Sequence, residues 1–290
     1  MLVSVITPSF NNAIFLDSCI RSVRSQRYGE IEHIIMDGGS TDGSIDIIKS
    51  YQDYFSYISY GPDDGQSDAI NRGIAASTGE VVCWLNSDDA FLPNAIGPVI
   101  DYFLANPDCE WLTGHCQFTD IYGNPGWFCR VDPRPPLDYL RFWDGIFLPQ
   151  PSVFFKRALW DRCGQLDPLY RYAMDLDLWL RFLDESPLHY LNKTLSINRN
   201  HPATKTSNGG MDAVLEIASI INRSSLNKKA NFDMELIKYN LTRTFVMNQI
   251  NKYRSELTLN LQNLTSYDLK LGEKMLVAAI TARRLIRHVL

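Results

Sequence analysis

Three stretches of this 290-residue chain place carboxylates where an extended, apolar run stops. Asn86-Ser87-Asp88-Asp89 follows the run 81–85, Asp37 follows 31–36, and Asp63-Asp64 lies just beyond 55–60. Adjacent aspartates repel each other and Asp is a poor strand former, so the Asp88-Asp89 pair suggests a positive partner from outside, either a metal ion or a cationic side chain. The other reading of that window is a solvated strand-to-helix turn, with one Asp capping a helix that begins near Pro93.

To act together these residues must be brought to one place by the elements between them. Residues 2–7 form a β-rich run closed by Pro8, and 12–26 carry helical spacing, with Phe15, Cys19 and Val23 on one stripe. A strand at 31–36, a turn at Asp37-Gly38-Gly39-Ser40-Thr41-Asp42-Gly43 and a helix at 44–53 follow. A strand at 55–60, a helix at 66–77 and a strand at 80–85 complete the alternation. Such alternation with short connections predicts an α/β fold, a parallel sheet with helices on both faces, and ligands then bind beyond the carboxyl ends of the strands. Pro8-Ser9, Asp37, Asp63-Asp64 and Asp88-Asp89 would all project over that edge. Any one loop reads as a capped turn, which is the reading kept for Asp42 and Asp63. The group together reads as a metal-dependent ligand site.

Beyond residue 100 the pattern loosens. Residues 108–120 predict a strand, Tyr122-Gly123-Asn124-Pro125 a turn, 148–155 an extended run, 172–182 an amphipathic helix and 188–197 a late strand. Trp127, Phe128, Phe142, Trp143 and Phe147 form an aromatic group whose rings could stack on a ligand, although such groups are more often core. From 211 onward every segment fits a helix, so the expected organisation is a sheet domain over 1–210 and an all-α appendage over 211–290. Within that appendage Arg283, Arg284, Arg287 and His288 share one helical face opposite Leu276, Val277 and Ile280. Packing on neighbouring helices or a second subunit is the commoner fate of such a helix; weak, salt-sensitive membrane contact is the alternative.

Composition narrows the function classes. A net charge of −5 excludes a general nucleic-acid binder, and 45% hydrophobic residues supply a sizeable core. The six cysteines form no C-x-x-C pair and no zinc spacing, and read as reduced thiols of a cytosolic protein. No stretch approaches the ~18 apolar residues of a spanning helix, and no signal peptide is evident. A cytoplasmic location, at most peripheral to the inner face of the membrane, is expected.

Val5-Ile6-Thr7-Pro8-Ser9-Phe10-Asn11-Asn12, the turn from Asp37 to Gly43, Asn71-x-Gly73 and Asn86-Ser87-Asp88-Asp89, in this order, resemble family 2 glycosyltransferases of the GT-A fold. The resemblance covers residues 1–205. It implies a GT-A nucleotide-diphospho-sugar transferase fold and inverting transfer from a nucleotide-diphosphate sugar to a glycan or lipid-linked saccharide. By that resemblance Thr7, Pro8, Ser9 and Asp37 hold the nucleobase and ribose, and Gly38 lets backbone lie close to the nucleotide. An Asp accepts the imide N–H of uracil, so a UDP-sugar is the expected donor.

Asn86-Ser87-Asp88 resembles the D-x-D element, which binds Mn²⁺ or Mg²⁺ bridging the two phosphates; oxygen ligands suit such hard cations. Here Asn86 replaces the first Asp and would meet the ribose or a metal-bound water. Asp88 is the main expected metal ligand, Asp89 is a weaker candidate whose alternative role is to orient a neighbour, and His201 completes the shell. Arg199 would clamp phosphate, Lys205 belongs to a solvated loop, and Asp68 either helps bind the donor or caps its own helix. The family's Glu-Asp pair at a helix start is Met174-Asp175 here, so Asp175 is the expected general base, with Asp177 structural and paired with Arg181. Two other classes remain in view. A nucleotidyltransferase would need a Gly-rich basic loop after the first strand, where Pro8-Ser9-Phe10-Asn11-Asn12 stands. A non-catalytic sugar-nucleotide-binding protein would explain Asn86 and Met174.

Overall fold

The computed structural model describes residues 1–141, 144–202, 204–205, 209–230, 237, 240, 241 and 243. Strand β1 (Val3–Ser9) is buried along its whole length, because β2 (Ile31–Asp37) and β4 (Val81–Trp84) flank it in parallel and helices cover both faces. β3 (Tyr57–Tyr60) adds to β2, again in parallel. Helices α1 (Ala13–Arg24), α2 (Ser44–Ser50) and α3 (Gln66–Ala76) make the crossovers expected from the alternating pattern.

The sheet then turns mixed. β6 (Trp111–Thr119) forms a hairpin with β7 (Pro125–Cys129), and β8 (Val153–Lys156) inserts antiparallel between β4 and β6. The run expected at 148–155 is shorter than its apolar character suggests: Pro149 precedes, and Pro151 lies within, a 3₁₀ turn at Gln150–Ser152 before the strand begins. β9 (His189–Arg199) lies parallel to β6, pairing Thr119 with Arg199, and on its other side takes the two-residue β5 (Ala90–Phe91). The order is β3-β2-β1-β4-β8-β6-β9-β5, with β7 on β6.

Helices α4 (Ile96–Ala105) and α1 cover one face, and their apolar residues form a core with Val3, Val5, Val81 and Cys83. The other face carries α3, α5 (Arg157–Cys163) and α6 (Met174–Glu185) over Ile6, Trp84, Trp111 and Phe155. Trp179 of α6 stacks on both Trp84 and Trp111, with ring centroids 5.3 and 5.9 Å away. α3 comes close to the sheet because residue 73 is glycine: a Cβ there would lie 2.6 Å from Ile6 Cγ2. Helices α7 (Gly210–Arg223) and α8 (Ser225–Ala230) follow β9. The buried side of α7, with Val214, Ile217, Ile220 and Ile221, joins the same core as α6. A helix thus begins where the boundary between sheet domain and appendage was expected, and it packs on the sheet domain. The basic helix near the C-terminus, with Arg283 to His288, lies outside the described residues, as do Phe142 and Trp143. Among the described residues, no helix is long and apolar enough to cross a membrane. All six cysteines are free thiols.

Candidate active site

The turn after β4 meets the end of β9. His201 Nε2 lies 3.1 Å from Asp88 Oδ2, and Phe15 of α1 lies against the imidazole with centroids 5.0 Å apart. Both side chains are partly exposed, at 21% for Asp88 and 11% for His201, so the pair can be reached from solvent. Arg199 donates from Nη1 to the Asp88 carbonyl at 2.7 Å and from Nη2 to Ser18 Oγ at 2.7 Å, with its guanidinium 5.5 Å from the Phe15 ring. The expected phosphate clamp is therefore engaged in holding the Asp88 turn to α1.

Asp89 has a different environment from its neighbour. It is 1% exposed and accepts the Arg199 N–H at 3.1 Å, with the amides of Asn86 and Asn198 at 3.4 and 3.3 Å. Burial, with Asp88 beside it, pushes its carboxyl well above the usual carboxylate range. Of the three expected metal ligands, Asp88 and His201 converge and Asp89 points inward to fasten β9. Asn86 also lies in a network: Oδ1 accepts from Gln66 Nε2 at 2.6 Å, and Nδ2 donates to Gln150 Oε1 at 3.1 Å. Among the described residues, no cluster of three or more His, Cys, Asp or Glu side chains gathers as a cation site.

The strand ends of β1 and β2 lie side by side, Ser9 opposite Asp37. Asp37 is 2% exposed; Oδ1 accepts the N–H groups of Gly39 and Ser40 at 3.1 and 2.8 Å, and Oδ2 accepts the Ser40 hydroxyl at 2.8 Å. These bonds shape its own loop, fill Oδ1 and leave Oδ2 one lone pair on simple valence grounds. Ser9 Oγ is buried with no protein partner. Thr7 turns into the sheet, where Oγ1 is 2.9 Å from His33 Nε2, so only its backbone can serve a ligand. Burial pushes the His33 imidazole down to about 3, which keeps it neutral. Pro8 sits between them within the same buried strand. At Gly38 a Cβ would come within 2.7 Å of Asp63 Oδ2, so the glycine lets the loop after β3 close over this one. Asp63 accepts the Gly65 N–H at 2.9 Å and Asp42 the Ser44 N–H at 3.0 Å, capped turns in both cases; Asp42 also accepts the Ala13 N–H of α1 at 2.8 Å. Asp68 accepts the Asp64 N–H at 3.3 Å and pairs with Arg72, a local capping arrangement.

Asp175 stands in the first turn of α6, half-buried, with Oδ1 accepting the Leu176 N–H at 2.9 Å. Burial pushes its carboxyl up to about 6, the nearby Glu216 adding to the rise and Lys205 opposing it. Lys205 is half-buried, not the solvated loop residue expected, and stands among Arg171, Glu216, Asp63 and Asp175. Burial and the neighbouring Arg171 lower its affinity for a proton, while Glu216, Asp63 and Asp175 hold it up. Asp177 pairs with Arg181 at 2.8 Å, and that guanidinium also reaches the carbonyls of Gly164 and Gln165 at 3.0 Å each. In place of the absent glutamate, Met174 Sδ receives the Ser67 hydroxyl at 2.8 Å.

Sequence reasoning missed Gln66, Gln150 and Glu216. The two glutamines carry no pattern that marks them as partners of Asn86, and Glu216 is one polar position on an amphipathic helix. The expected aromatic group is partly formed: Trp127 is 54% exposed, with ring centroids 5.0 Å from Phe118 and 5.5 Å from Phe147.

A mixed sheet with flanking helices, whose parallel half leads into Ser9, Asp37 and the Asp88 turn, is a fold of GT-A type. The glycosyl transferase family 2 model matches residues 4–161, and the chain belongs to that family; it is a glycosyltransferase. An uncharacterised glycosyltransferase of Rickettsia typhi is 31% identical over 248 residues, covering 82% of this chain and 75% of the relative. In fold the chain is similar to residues 1–349 of S. aureus TarS solved in complex with UDP-GlcNAc, at TM-score 0.60 and 17% identity over 100% of this chain and 82% of that one. It is also similar to the mannosyltransferase PcManGT of Pyrobaculum calidifontis, solved with GDP-Man and Mn²⁺. There the TM-score is 0.56 and the identity 16%, over 98% of this chain and 84% of that one.

Proposed function

We propose that this glycosyltransferase inverts the anomeric centre as it moves a sugar from a UDP-sugar to a saccharide or lipid-linked saccharide, with Asp175 as general base. The observation that supports this reading is the course of a single segment. Residues 199–205 reach the Asp88 turn through His201 and the Asp175 region through Lys205. A donor with its diphosphate against Asp88 and His201 then has the α6 start on the acceptor side.

The residues fit a divalent cation of the Mn²⁺ or Mg²⁺ kind. Asp88 Oδ2 and His201 Nε2 converge at a partly exposed edge, and such ions complete their shell with substrate phosphates and water. The ion would neutralise negative charge as the diphosphate leaves. Ser9 Oγ and the free lone pair of Asp37 Oδ2 would face the nucleoside end of the donor, where Asp37 accepts the uracil imide N–H. Asp175 accepts the proton of the acceptor hydroxyl as its oxygen bonds to the anomeric carbon and the bond from that carbon to the diphosphate breaks. A carboxyl pushed up to about 6 is ionised at neutral pH and more basic than a free aspartate, as a general base needs. Trp127, exposed beside the β6 end, offers a ring face to an acceptor sugar.

The test is transfer and UDP release from UDP-glucose, UDP-galactose, UDP-N-acetylglucosamine and GDP-mannose, with Mn²⁺ and after chelation. Turnover of a UDP-sugar that requires the cation is expected. Preference for GDP-mannose, or full turnover in chelator, would overturn the donor or the cation assignment respectively.

A further inference from the structure

The entry into α6 is held from outside the helix. The first N–H groups of any helix lack partners within it, and Ala173 at the cap position has no side chain to accept them. Glu216, in α7, supplies an acceptor for the Ala173 N–H and for the two N–H groups that lead up to it. Its Oε1 accepts the N–H groups of Tyr172 and Ala173, both at 2.7 Å, and its Oε2 accepts that of Arg171 at 2.9 Å. Upstream, Asn71 of α3 makes two bonds to the Leu166 backbone, at 2.9 and 3.0 Å, and Arg181 holds the carbonyls of Gly164 and Gln165. The loop from 164 to 173 is thus fastened to α3, α6 and α7. Its last fastening before Asp175 is Glu216.

We propose that Glu216 is a positioning residue for glycosyl transfer, its carboxylate fixing the entry into α6 and therefore the place of the Asp175 carboxylate two residues beyond its last bond. The proposal rests on Asp175 being the base. Three charge-assisted bonds from one carboxylate to consecutive N–H groups define both the position and the direction of that backbone. A carboxylate near a helix start is also favoured by the helix dipole. Glu216 lies beyond the 4–161 span matched by the family model, so α7 would complete a site that the matched span leaves open. Its charge also bears on Asp175, which faces Glu216 from α7 and Lys205 from the preceding segment, with Arg171 and Asp63 acting on Lys205.

The experiment compares full-length Glu216→Ala, Glu216→Gln and Asp175→Asn with the wild type. UDP release from the best-used sugar of the donor panel is followed across pH with Mn²⁺, UDP affinity by calorimetry, and the folded fraction by thermal unfolding. Glu216→Ala should lower kcat about 100-fold, the loss that a displacement of roughly 1 Å produces, with UDP affinity unchanged. Glu216→Gln keeps an acceptor oxygen for Tyr172 and Ala173, so it should recover most of kcat. Without the Glu216 charge, Asp175 ionises at lower pH, and the acid limb of the Glu216→Gln profile should move down. A merely structural role would move neither the limb nor kcat per folded molecule. Wild-type kcat per folded molecule in Glu216→Ala, or an unmoved acid limb in Glu216→Gln, would overturn the proposal. If Asp175→Asn itself turns over normally, the base assignment falls. If Asp175→Asn is inactive while Glu216→Ala is not, only the positioning role falls.

Discussion

Asp88 Oδ2 and His201 Nε2 stand 3.1 Å apart although 113 residues separate them in the chain. One comes from the turn after β4, the other from the end of β9, and Arg199 beside them ties the same turn to α1. Asp88→Ala should therefore lower transfer by more than about 100-fold, as charge on the leaving diphosphate goes unneutralised, while the fold persists. His201→Ala should raise the Mn²⁺ concentration needed for half-maximal rate. A cation titration of both variants checks this; an unchanged titration in His201→Ala would remove the imidazole from the shell.

Asp89 should behave as a structural residue. Asp89→Ala leaves the Arg199 N–H without its acceptor and strips Asn86 and Asn198 of theirs, which should cost about 2 kcal/mol or more of stability. Urea unfolding measures that cost. A stable Asp89→Ala that has lost only Mn²⁺ affinity would return Asp89 to the metal shell.

For Asp175 the sign of the pH effect follows from a folded-state value raised to about 6 from an ordinary 3.8. The base works when ionised, so kcat should fall as pH drops through about 6. Stability runs the other way. Relative to a neutral side chain, the carboxyl costs nothing below its unfolded value and a penalty that grows as pH rises through the folded one. Asp175→Asn should thus lose about 100-fold or more in turnover, yet melt higher than the wild type at pH 8 and equally at pH 3.5. Parallel melting curves at the two pH values decide it.

Gly73→Ala tests the seat of α3. The added methyl would lie 2.6 Å from Ile6 Cγ2 and 3.1 Å from Met36 Cγ, both in the central strands, so the helix must lift. A loss of about 1–3 kcal/mol is expected by chemical denaturation.

Asp37→Asn should weaken UDP binding without changing that of Mn²⁺. The amide end that replaces one oxygen donates where the wild type accepts, opposing either the Gly39-Ser40 turn or the uracil imide. Calorimetry with UDP and GDP reads this directly; equal loss for both would mean that the loop, and not base recognition, had been damaged.

What could be read from the sequence was whatever residue type and period record. The strand ends that carry Ser9, Asp37 and Asp88 were legible because apolar runs stop there and polar residues begin. Asp42, Asp63 and the Asp177–Arg181 pair followed from local spacing alone. The direction of β8 was not legible, since a buried run such as Val153-Phe154-Phe155 looks the same parallel or antiparallel. β5 is two residues long and exists only because β9 pairs with it. Residue type alone could not separate Asp88 from Asp89 in kind, although the turn sends the first toward solvent and the second into the protein. Glu216 was the hardest, because its partners are backbone N–H groups, which leave no mark on residue type.

The β5–β9 joint also orders events in time. Asp89 accepts the N–H of a residue 110 positions further on, and β9 lies between β6 and β5 in the finished sheet. On a ribosome, the parallel strands that carry Ser9 and Asp37 emerge long before β9 does. Until residue 201 clears the exit tunnel, the nascent chain holds Asp88 without His201 and keeps one edge of β6 open to other chains. Such a chain can shape the loops of Ser9 and Asp37 early, but it gains the Asp88–His201 edge only when β9 joins the sheet.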